Sequence, residues 1–96
     1  MIKASTIKHR GLKELYENGR SRRVAQDLLA RIKQRLDVLE AMEDLTETAK
    51  AIQSLRIHQL TGKRRGTWSL WVSGPWRLTF KFRNGDVYDL DLEQYH

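Results

Sequence analysis

The sequence predicts an α+β fold in which a small antiparallel-rich sheet packs against two or three helices formed by the N-terminal half. In residues 1–41, apolar side chains recur at every third or fourth position, which is typical of amphipathic helices. In residues 68–93, apolar and polar side chains alternate, as they do in strands that bury one face. Ser73-Gly74-Pro75 and Asn84-Gly85-Asp86 interrupt the alternation and predict turns between three consecutive strands.

The chain is predicted to begin with two short elements. Ile2–Thr6 is interpreted as a short opening strand. Gly11–Asn18 is predicted to form a short helix that ends before Gly19, because glycine is a favoured residue just past a helix C-terminus.

A longer helix is predicted over Arg22–Ala41, with Ser21 as its N-cap. Its apolar residues form one stripe that is predicted to cover the apolar face of the sheet: Val24, Leu28, Ile32, Leu36 and Leu39. The pattern over Met42–Ser54 leaves open whether this segment is a plain loop or a loop that contains a helical turn.

The alternation also predicts how the strands pair. A three-residue loop at Ser73-Gly74-Pro75 sets three apolar pairs on one face: Val72 with Trp76, Leu70 with Leu78, and Trp68 with Phe80. A two-residue Asn84-Gly85 turn would mix the two faces, so we expect one extra loop residue or a bulge. The pairs that follow are Phe82 with Tyr88, Phe80 with Leu90, Leu78 with Leu92, Lys81 with Asp89, and Arg77 with Glu93.

The charge of the chain favours a nucleic-acid partner. Its 18 basic and 12 acidic side chains give a net charge of +6. Residues 51–85 contain no acidic residue and seven basic ones: Arg56, Lys63, Arg64, Arg65, Arg77, Lys81 and Arg83. If these share a face, they create a focused positive field. An acidic protein is the alternative partner.

Several classes of protein are excluded by what the sequence lacks. With 96 residues, we expect one domain over residues 1–96, and the absence of cysteine excludes disulfides and cysteine-ligated zinc. No apolar run approaches the roughly 20 residues of a membrane span, so we expect no membrane partner and a cytoplasmic location. Histidines at 9, 58 and 96 do not have the spacing of a metal site, and we expect neither a metal nor a cofactor.

Four residues have the chemistry that RNA cleavage needs: His58, Arg77, Tyr95 and His96. The 2′-hydroxyl must lose a proton and the leaving 5′-oxygen must gain one, and histidine titrates near working pH. A guanidinium matches the charge and shape of the phosphate. Each residue also has a plainer interpretation: a half-exposed strand histidine, a cross-strand ion pair of Arg77 with Glu93, and a frayed chain end.

A second group is expected to bind RNA or the ribosome: Arg56, Lys63, Arg64, Arg65, Trp71 and Lys81. Trp71 lies on the predicted polar face, where it can stack on a base or pack against another protein or helix. The Lys63-Arg64-Arg65 run, bracketed by Gly62 and Gly66, is either a solvated loop or a phosphate contact.

These segments resemble the HigB-type toxins of the RelE/ParE superfamily, from bacterial type II toxin–antitoxin modules. Ile57–Gly62 (IHQLTG) is similar to the L-H-P-L-K-G of the family, and Val72–Phe80 (VSGPWRLTF) to its V-S-G-x-W-R-L-T-F. The chain stops at Tyr95-His96, where family members end in D-Y-H or a similar triplet. Three residues depart from these patterns: Gln59 and Thr61 replace Pro and Lys, and Gln94 replaces Asp. The amide of Gln94 hydrogen-bonds but carries no charge.

The resemblance implies a RelE-like domain and a ribosome-dependent mRNA endonuclease that acts in the decoding site. His58, Arg77, Tyr95 and His96 would then match the family's catalytic positions. It implies a helix-turn-helix, HigA-like antitoxin in a hetero-oligomer, the 70S ribosome and mRNA as partners, and operator DNA bound through the antitoxin. Two alternatives stay open: a toxin without nuclease chemistry that acts on gyrase or blocks the ribosome, and a basic regulatory protein that acts only through its partner.

Overall fold

The computed structural model describes residues 1–94 and confirms the α+β fold. Within these residues the helices are α1 (Arg10–Asn18), α2 (Leu29–Ala41) and α3 (Leu45–Ala51). The strands are β1 (His58–Gln59), β2 (Trp68–Ser73), β3 (Trp76–Arg83) and β4 (Asp86–Gln94). They form one antiparallel sheet in the order β1-β2-β3-β4. Tyr95 and His96, two of the predicted catalytic residues, lie outside the described residues.

One continuous apolar core lies between the helices and one face of the sheet. The whole predicted stripe of the long helix is buried in it, and α2 packs against β2. The strands contribute alternate side chains that are fully buried, among them Leu70, Val72, Leu78, Phe80 and Leu90. No helix in the described part of the chain is long and apolar enough to span a bilayer.

The predicted opening strand over Ile2–Thr6 does not form. Ile2 makes a single parallel bridge with Val87, and Ala4–Thr6 then forms a 3₁₀ turn. The Thr6 hydroxyl stabilises this turn by donating to the Lys3 carbonyl at 2.7 Å. The turn ends the strand after one bridge, and the chain meets β4 again where Lys8 N donates to the Leu90 carbonyl at 2.8 Å.

Helix α1 confirms its prediction within one residue. His9 is its N-cap, and its Nδ1 accepts a hydrogen bond from Leu12 N at 3.2 Å. Gly19 ends the helix with a φ of 77°, a left-handed conformation that glycine adopts without steric cost.

The predicted start of the long helix is seven residues too early, because α2 begins at Leu29 rather than at Arg22. Ser21 accepts a hydrogen bond from Arg23 N at 3.1 Å, but it also donates to Glu14 of α1 at 2.8 Å. These contacts hold residues 21–25 against α1 as a loop. The ambiguous Met42–Ser54 segment contains α3, which Asp44 caps by accepting from Glu47 N at 2.9 Å.

The first hairpin is predicted correctly except at its end. Trp68 faces Phe80 and Leu70 faces Leu78, as the alternation indicates. A register shift after Trp71 then places Ser73, not Val72, opposite Trp76.

The second hairpin contains a bulge instead of an extra loop residue. Arg77 faces Glu93 and Leu78 faces Leu92, as predicted. The turn is the two-residue Asn84-Gly85, and the extra residue lies within β4. Three predicted pairs therefore do not form. Phe82 faces Val87 rather than Tyr88, Lys81 faces Tyr88 rather than Asp89, and the predicted pair of Phe80 with Leu90 lies at the register shift. Asp89 in this bulge has a φ of 54°, and its N–H donates to the Thr6 hydroxyl at 3.0 Å. Val87 consequently takes the buried position expected for Tyr88.

Candidate active site

The face of the sheet opposite the core carries two polar rows. Strand pairing aligns His58, Ser69, Thr79 and Asp91 across all four strands. Trp71, Arg77 and Glu93 form the next row. Rows on one face are roughly 7 Å apart along the strands, and neighbouring strands about 4.8 Å apart. The sheet therefore brings His58, Trp71 and Arg77 onto one surface.

His58 is exposed in the short edge strand β1. Its Nδ1 lies 2.8 Å from the backbone carbonyl oxygen of Arg56. The strand begins only at His58 because Arg56, which ends the preceding 3₁₀ turn, adopts a left-handed conformation with a φ of 50°. The ring is therefore accessible and anchored through one nitrogen.

Glu93 is the acidic centre of this face. Arg64 binds it with two hydrogen bonds, Nη1 to Oε1 at 2.7 Å and Nη2 to Oε2 at 2.6 Å. The Thr79 hydroxyl also donates to Glu93. The hydrogen bonds from Arg64 lower the pKa of Glu93 to about 2, against burial, and those from Thr79 and the charges of Arg64 and Arg77 add to the effect. The same ion pair raises the pKa of Arg64.

Arg77 is half-buried in the middle of β3, opposite Glu93 in β4. Its charge contributes to the lowered pKa of Glu93. Arg77 therefore lies directly opposite Glu93, as the strand pairing predicts, but it is Arg64 that forms the bidentate ion pair with Glu93.

Trp71 lies beside Arg77 on the polar face and is half-buried. Its indole Nε1–H donates to the Gly74 carbonyl at 2.9 Å, which fixes the ring. The Arg56 guanidinium lies over the ring, 4.7 Å from its centroid. Arg56 and Trp71 thus form a stacked cation–π pair next to His58.

The remaining predicted cations lie around these rows. Gly62–Arg64 forms a 3₁₀ turn that Arg65 N closes by donating to the Gly62 carbonyl at 3.2 Å. Lys63 and Arg65 are exposed on either side of Arg64. Lys81 is exposed on β3, one row beyond Thr79. Tyr95 and His96 directly follow Gln94, which pairs with Trp76 at the end of the sheet.

The prediction from sequence missed two residues of this surface, Glu93 as an ion-pair centre and Thr79 as its hydroxyl donor. The sequence feature that could have indicated them is the expected pairing of β3 with β4, which places Glu93 on the polar face. Nothing in the pattern indicated that the Gly62–Arg64 turn folds back onto β4. Among residues 1–94, no three histidine, aspartate or glutamate side chains are grouped closely enough to hold a metal ion.

The chain is similar in sequence to known proteins. A sequence profile of the RelE-like toxins of type II toxin–antitoxin systems, HigB, matches residues 5–96. The chain is 42% identical to Endoribonuclease HigB of Proteus vulgaris over 96 residues, which is the full length of both proteins. The resemblance inferred from the Val72–Phe80 segment and the terminal Tyr95-His96 is therefore confirmed. The chain belongs to the HigB-like toxins, the RelE-like toxins of type II toxin–antitoxin systems.

Proposed function

We propose that this toxin is an endoribonuclease that cleaves mRNA in the decoding site of the ribosome and so inhibits translation. The name of the Proteus vulgaris relative supports the reaction class. The placement of His58 and Arg77 on one polar face, with the Arg56–Trp71 pair beside them, is the observation that carries the proposal. We place the activity in a single domain, residues 1–96, acting in the cytoplasm.

The proposed reaction is a transesterification that uses protein groups alone. One histidine of the pair His58 and His96 takes the proton of the 2′-hydroxyl, whose oxygen attacks the adjacent phosphorus. The bond from phosphorus to the 5′-oxygen breaks, and the other histidine protonates that leaving oxygen. The products are a 2′,3′-cyclic phosphate and a 5′-hydroxyl. Arg77 neutralises the charge that accumulates on the phosphate, and Tyr95 orients the RNA.

The dimensions of the sheet support this assignment. Two strands and one row separate His58 from Arg77, which corresponds to roughly 12 Å between their Cα atoms. Both side chains are long enough to contact one phosphodiester group placed between these positions.

The surrounding cations are proposed to bind the RNA and the ribosome. Lys63, Arg65 and Lys81 are exposed and contact phosphates. Trp71, under the Arg56 guanidinium, offers a stacking surface for a base. Arg64 also belongs to this group. Its guanidinium binds Glu93, so RNA that contacts Arg64 lies next to the Glu93 carboxylate.

The toxin family implies an antitoxin partner. We propose that this antitoxin is a HigA-like helix-turn-helix protein. Because such repressors commonly bind DNA as dimers, the complex would be a hetero-oligomer that reaches operator DNA through the antitoxin.

The test uses purified protein, ribosomes programmed with an mRNA of known sequence, and primer extension to map cuts. Cleavage confined to the codon in the decoding site, and absent on the same mRNA without ribosomes, is the expected result. A matched control replaces the mRNA codon in the site while the rest of the message is kept. No cleavage by folded protein on active ribosomes would overturn the nuclease assignment and favour a toxin that acts on gyrase or blocks the ribosome by binding.

A further inference from the structure

Arg56 contacts two predicted functional residues through different parts of its structure. Its backbone carbonyl oxygen lies 2.8 Å from His58 Nδ1. Its guanidinium covers the Trp71 ring at 4.7 Å. The backbone of Arg56 is left-handed, with a φ of 50°. Residues other than glycine adopt this conformation at a steric cost, so such residues point to a local requirement.

The neighbours of Arg56 explain how this conformation is held. Leu55 is buried in the core on one side, and His58 is paired with Ser69 in the sheet on the other. Arg56 N donates to the Gln53 carbonyl at 3.0 Å and closes a 3₁₀ turn. Arg56 therefore links the 3₁₀ turn to β1 in a left-handed conformation, and its carbonyl lies beside the His58 ring.

The contact defines the protonation pattern of His58. A backbone carbonyl only accepts hydrogen bonds, so His58 Nδ1 must carry the hydrogen. In the neutral ring, Nε2 then holds the lone pair. His9 is a natural contrast, because its Nδ1 accepts from Leu12 N at 3.2 Å and its hydrogen must be on Nε2. The two histidines are therefore held in opposite tautomers.

We propose that Arg56 is a positioning residue that holds His58 as the Nδ1–H tautomer and makes His58 Nε2 the general base. This inference rests on the proposed function. In the reaction, Nε2 takes the proton of the 2′-hydroxyl, and the resulting imidazolium keeps its Nδ1–H bond to the Arg56 carbonyl. The guanidinium of the same residue covers Trp71, so one residue orients both the base and the stacking surface.

The first test measures the tautomers of the unmodified protein. Long-range ¹H–¹⁵N correlation spectra are recorded at about pH 8.5, well above the ordinary imidazole pKa of about 6.5. His58→Gln and His9→Gln spectra assign the two rings. We expect His58 to show a protonated Nδ1 and His9 a protonated Nε2. A His58 ring protonated on Nε2, or a mixture of both forms, would overturn the inference without any variant at position 56.

The second test separates the backbone of Arg56 from its side chain. Arg56→Gly and Arg56→Val both remove the guanidinium, but glycine favours the left-handed conformation and valine resists it. We expect Arg56→Gly to keep the Nδ1–H tautomer of His58 and Arg56→Val to lose it. Ribosome-dependent cleavage should be at least about tenfold slower in Arg56→Val than in Arg56→Gly, because a misoriented base forfeits part of the roughly 10²–10⁴-fold effect of proton transfer.

A double-variant comparison shows whether this difference acts through His58. In a His58→Gln background, the two position-56 variants should cleave at equal residual rates, and a persisting difference would refute the positioning role. The tautomer does not depend on catalysis. If the spectra show the expected tautomers while the wild-type protein leaves ribosome-bound mRNA intact, the nuclease proposal fails and the assignment of Nε2 as a catalytic base fails with it, whereas the structural role of the Arg56 carbonyl stands.

Discussion

Arg64 binds Glu93 through two hydrogen bonds of 2.7 and 2.6 Å, although 29 residues separate them in the chain. The pair joins the turn after β1 to the last described strand, beside Thr79 and Arg77. It therefore ties the edge strand that carries His58 to the strand that leads into Tyr95 and His96. Glu93 also limits the positive charge at the centre of a face otherwise rich in arginine.

The Arg64–Glu93 pair makes stability depend on pH. The pKa of Glu93 is lowered from 4.5 to about 2, so its contribution is present above about pH 4.5 and is lost as the pH falls towards 2. Glu93→Gln should lower the free energy of unfolding by about 1–2 kcal/mol at neutral pH, a value discounted because the Arg64 side chain is 43% exposed. Urea unfolding across this pH range measures it. Glu17→Gln, an exposed change on α1, is the control. An equal pH profile for wild type and Glu93→Gln would contradict the pairing.

Arg35 covers the edge of β2 beyond the two-residue strand β1. Its guanidinium donates to the Trp71 and Val72 carbonyls at 3.4 and 3.5 Å, and burial lowers its pKa, with the nearby charge of Arg31 adding to the effect. Arg35→Gln should cost about 1 kcal/mol of unfolding free energy and expose the edge to self-association. Urea unfolding and gel filtration measure the two effects. Arg31→Gln, which removes an exposed contact with Ser73 and a charge near Arg35, should stay within about 0.5 kcal/mol of wild type.

Gly11 allows the loop before α2 to pass close to α1. A Cβ atom at this position would lie 2.9 Å from Val24 Cγ2 and 3.0 Å from Arg23 Cβ. Gly11→Ala should therefore destabilise the protein by about 1–3 kcal/mol, in spite of the higher helix propensity of alanine. Lys13→Ala, on the exposed side of the same helix, should change stability by less than about 0.5 kcal/mol. Thermal unfolding measures the stability of both variants. A Gly11→Ala protein more stable than wild type would show that the loop is not tightly packed against Gly11.

Trp71 is predicted to influence where the mRNA is cut. Loss of one base-stacking contact is worth roughly 1–3 kcal/mol, so Trp71→Thr should weaken RNA binding about 5- to 150-fold and alter the mapped cleavage positions. Primer extension with wild type and variant on the same message makes the comparison, with circular dichroism as the check on folding. Unchanged positions and rates would remove Trp71 from the substrate site.

The alternation of apolar residues was sufficient to predict strands β2 to β4 and which of their faces is polar. It correctly paired Leu70 with Leu78 and Arg77 with Glu93, because a strand has a fixed period of two and one face must be buried. The alternation did not place His58 on that face; the pairing of His58 with Ser69 in the structure does.

The errors arose where distant contacts decide local structure. The start of α2 was misplaced because Ser21 binds Glu14 of another helix, which no helical period reveals. The bulge at Asp89 depends on the Thr6 hydroxyl, 83 residues earlier in the chain. The partner of Glu93 was likewise hidden, because the position of Arg64 is set by the path of a turn rather than by strand register.

The most direct test of the account is single-turnover cleavage of ribosome-bound mRNA by Arg77→Ala and Arg83→Ala. Both variants remove one arginine from β3, but Arg83 lies about 20 Å along the strand from Arg77, over the Tyr88 ring. Arg77→Ala should cleave at least about 10²-fold more slowly than wild type, since it removes the proposed charge stabilisation of the transition state. Arg83→Ala should retain the wild-type rate. Wild-type cleavage by folded Arg77→Ala, or equal losses in both variants, would contradict the assignment of this face as the active site.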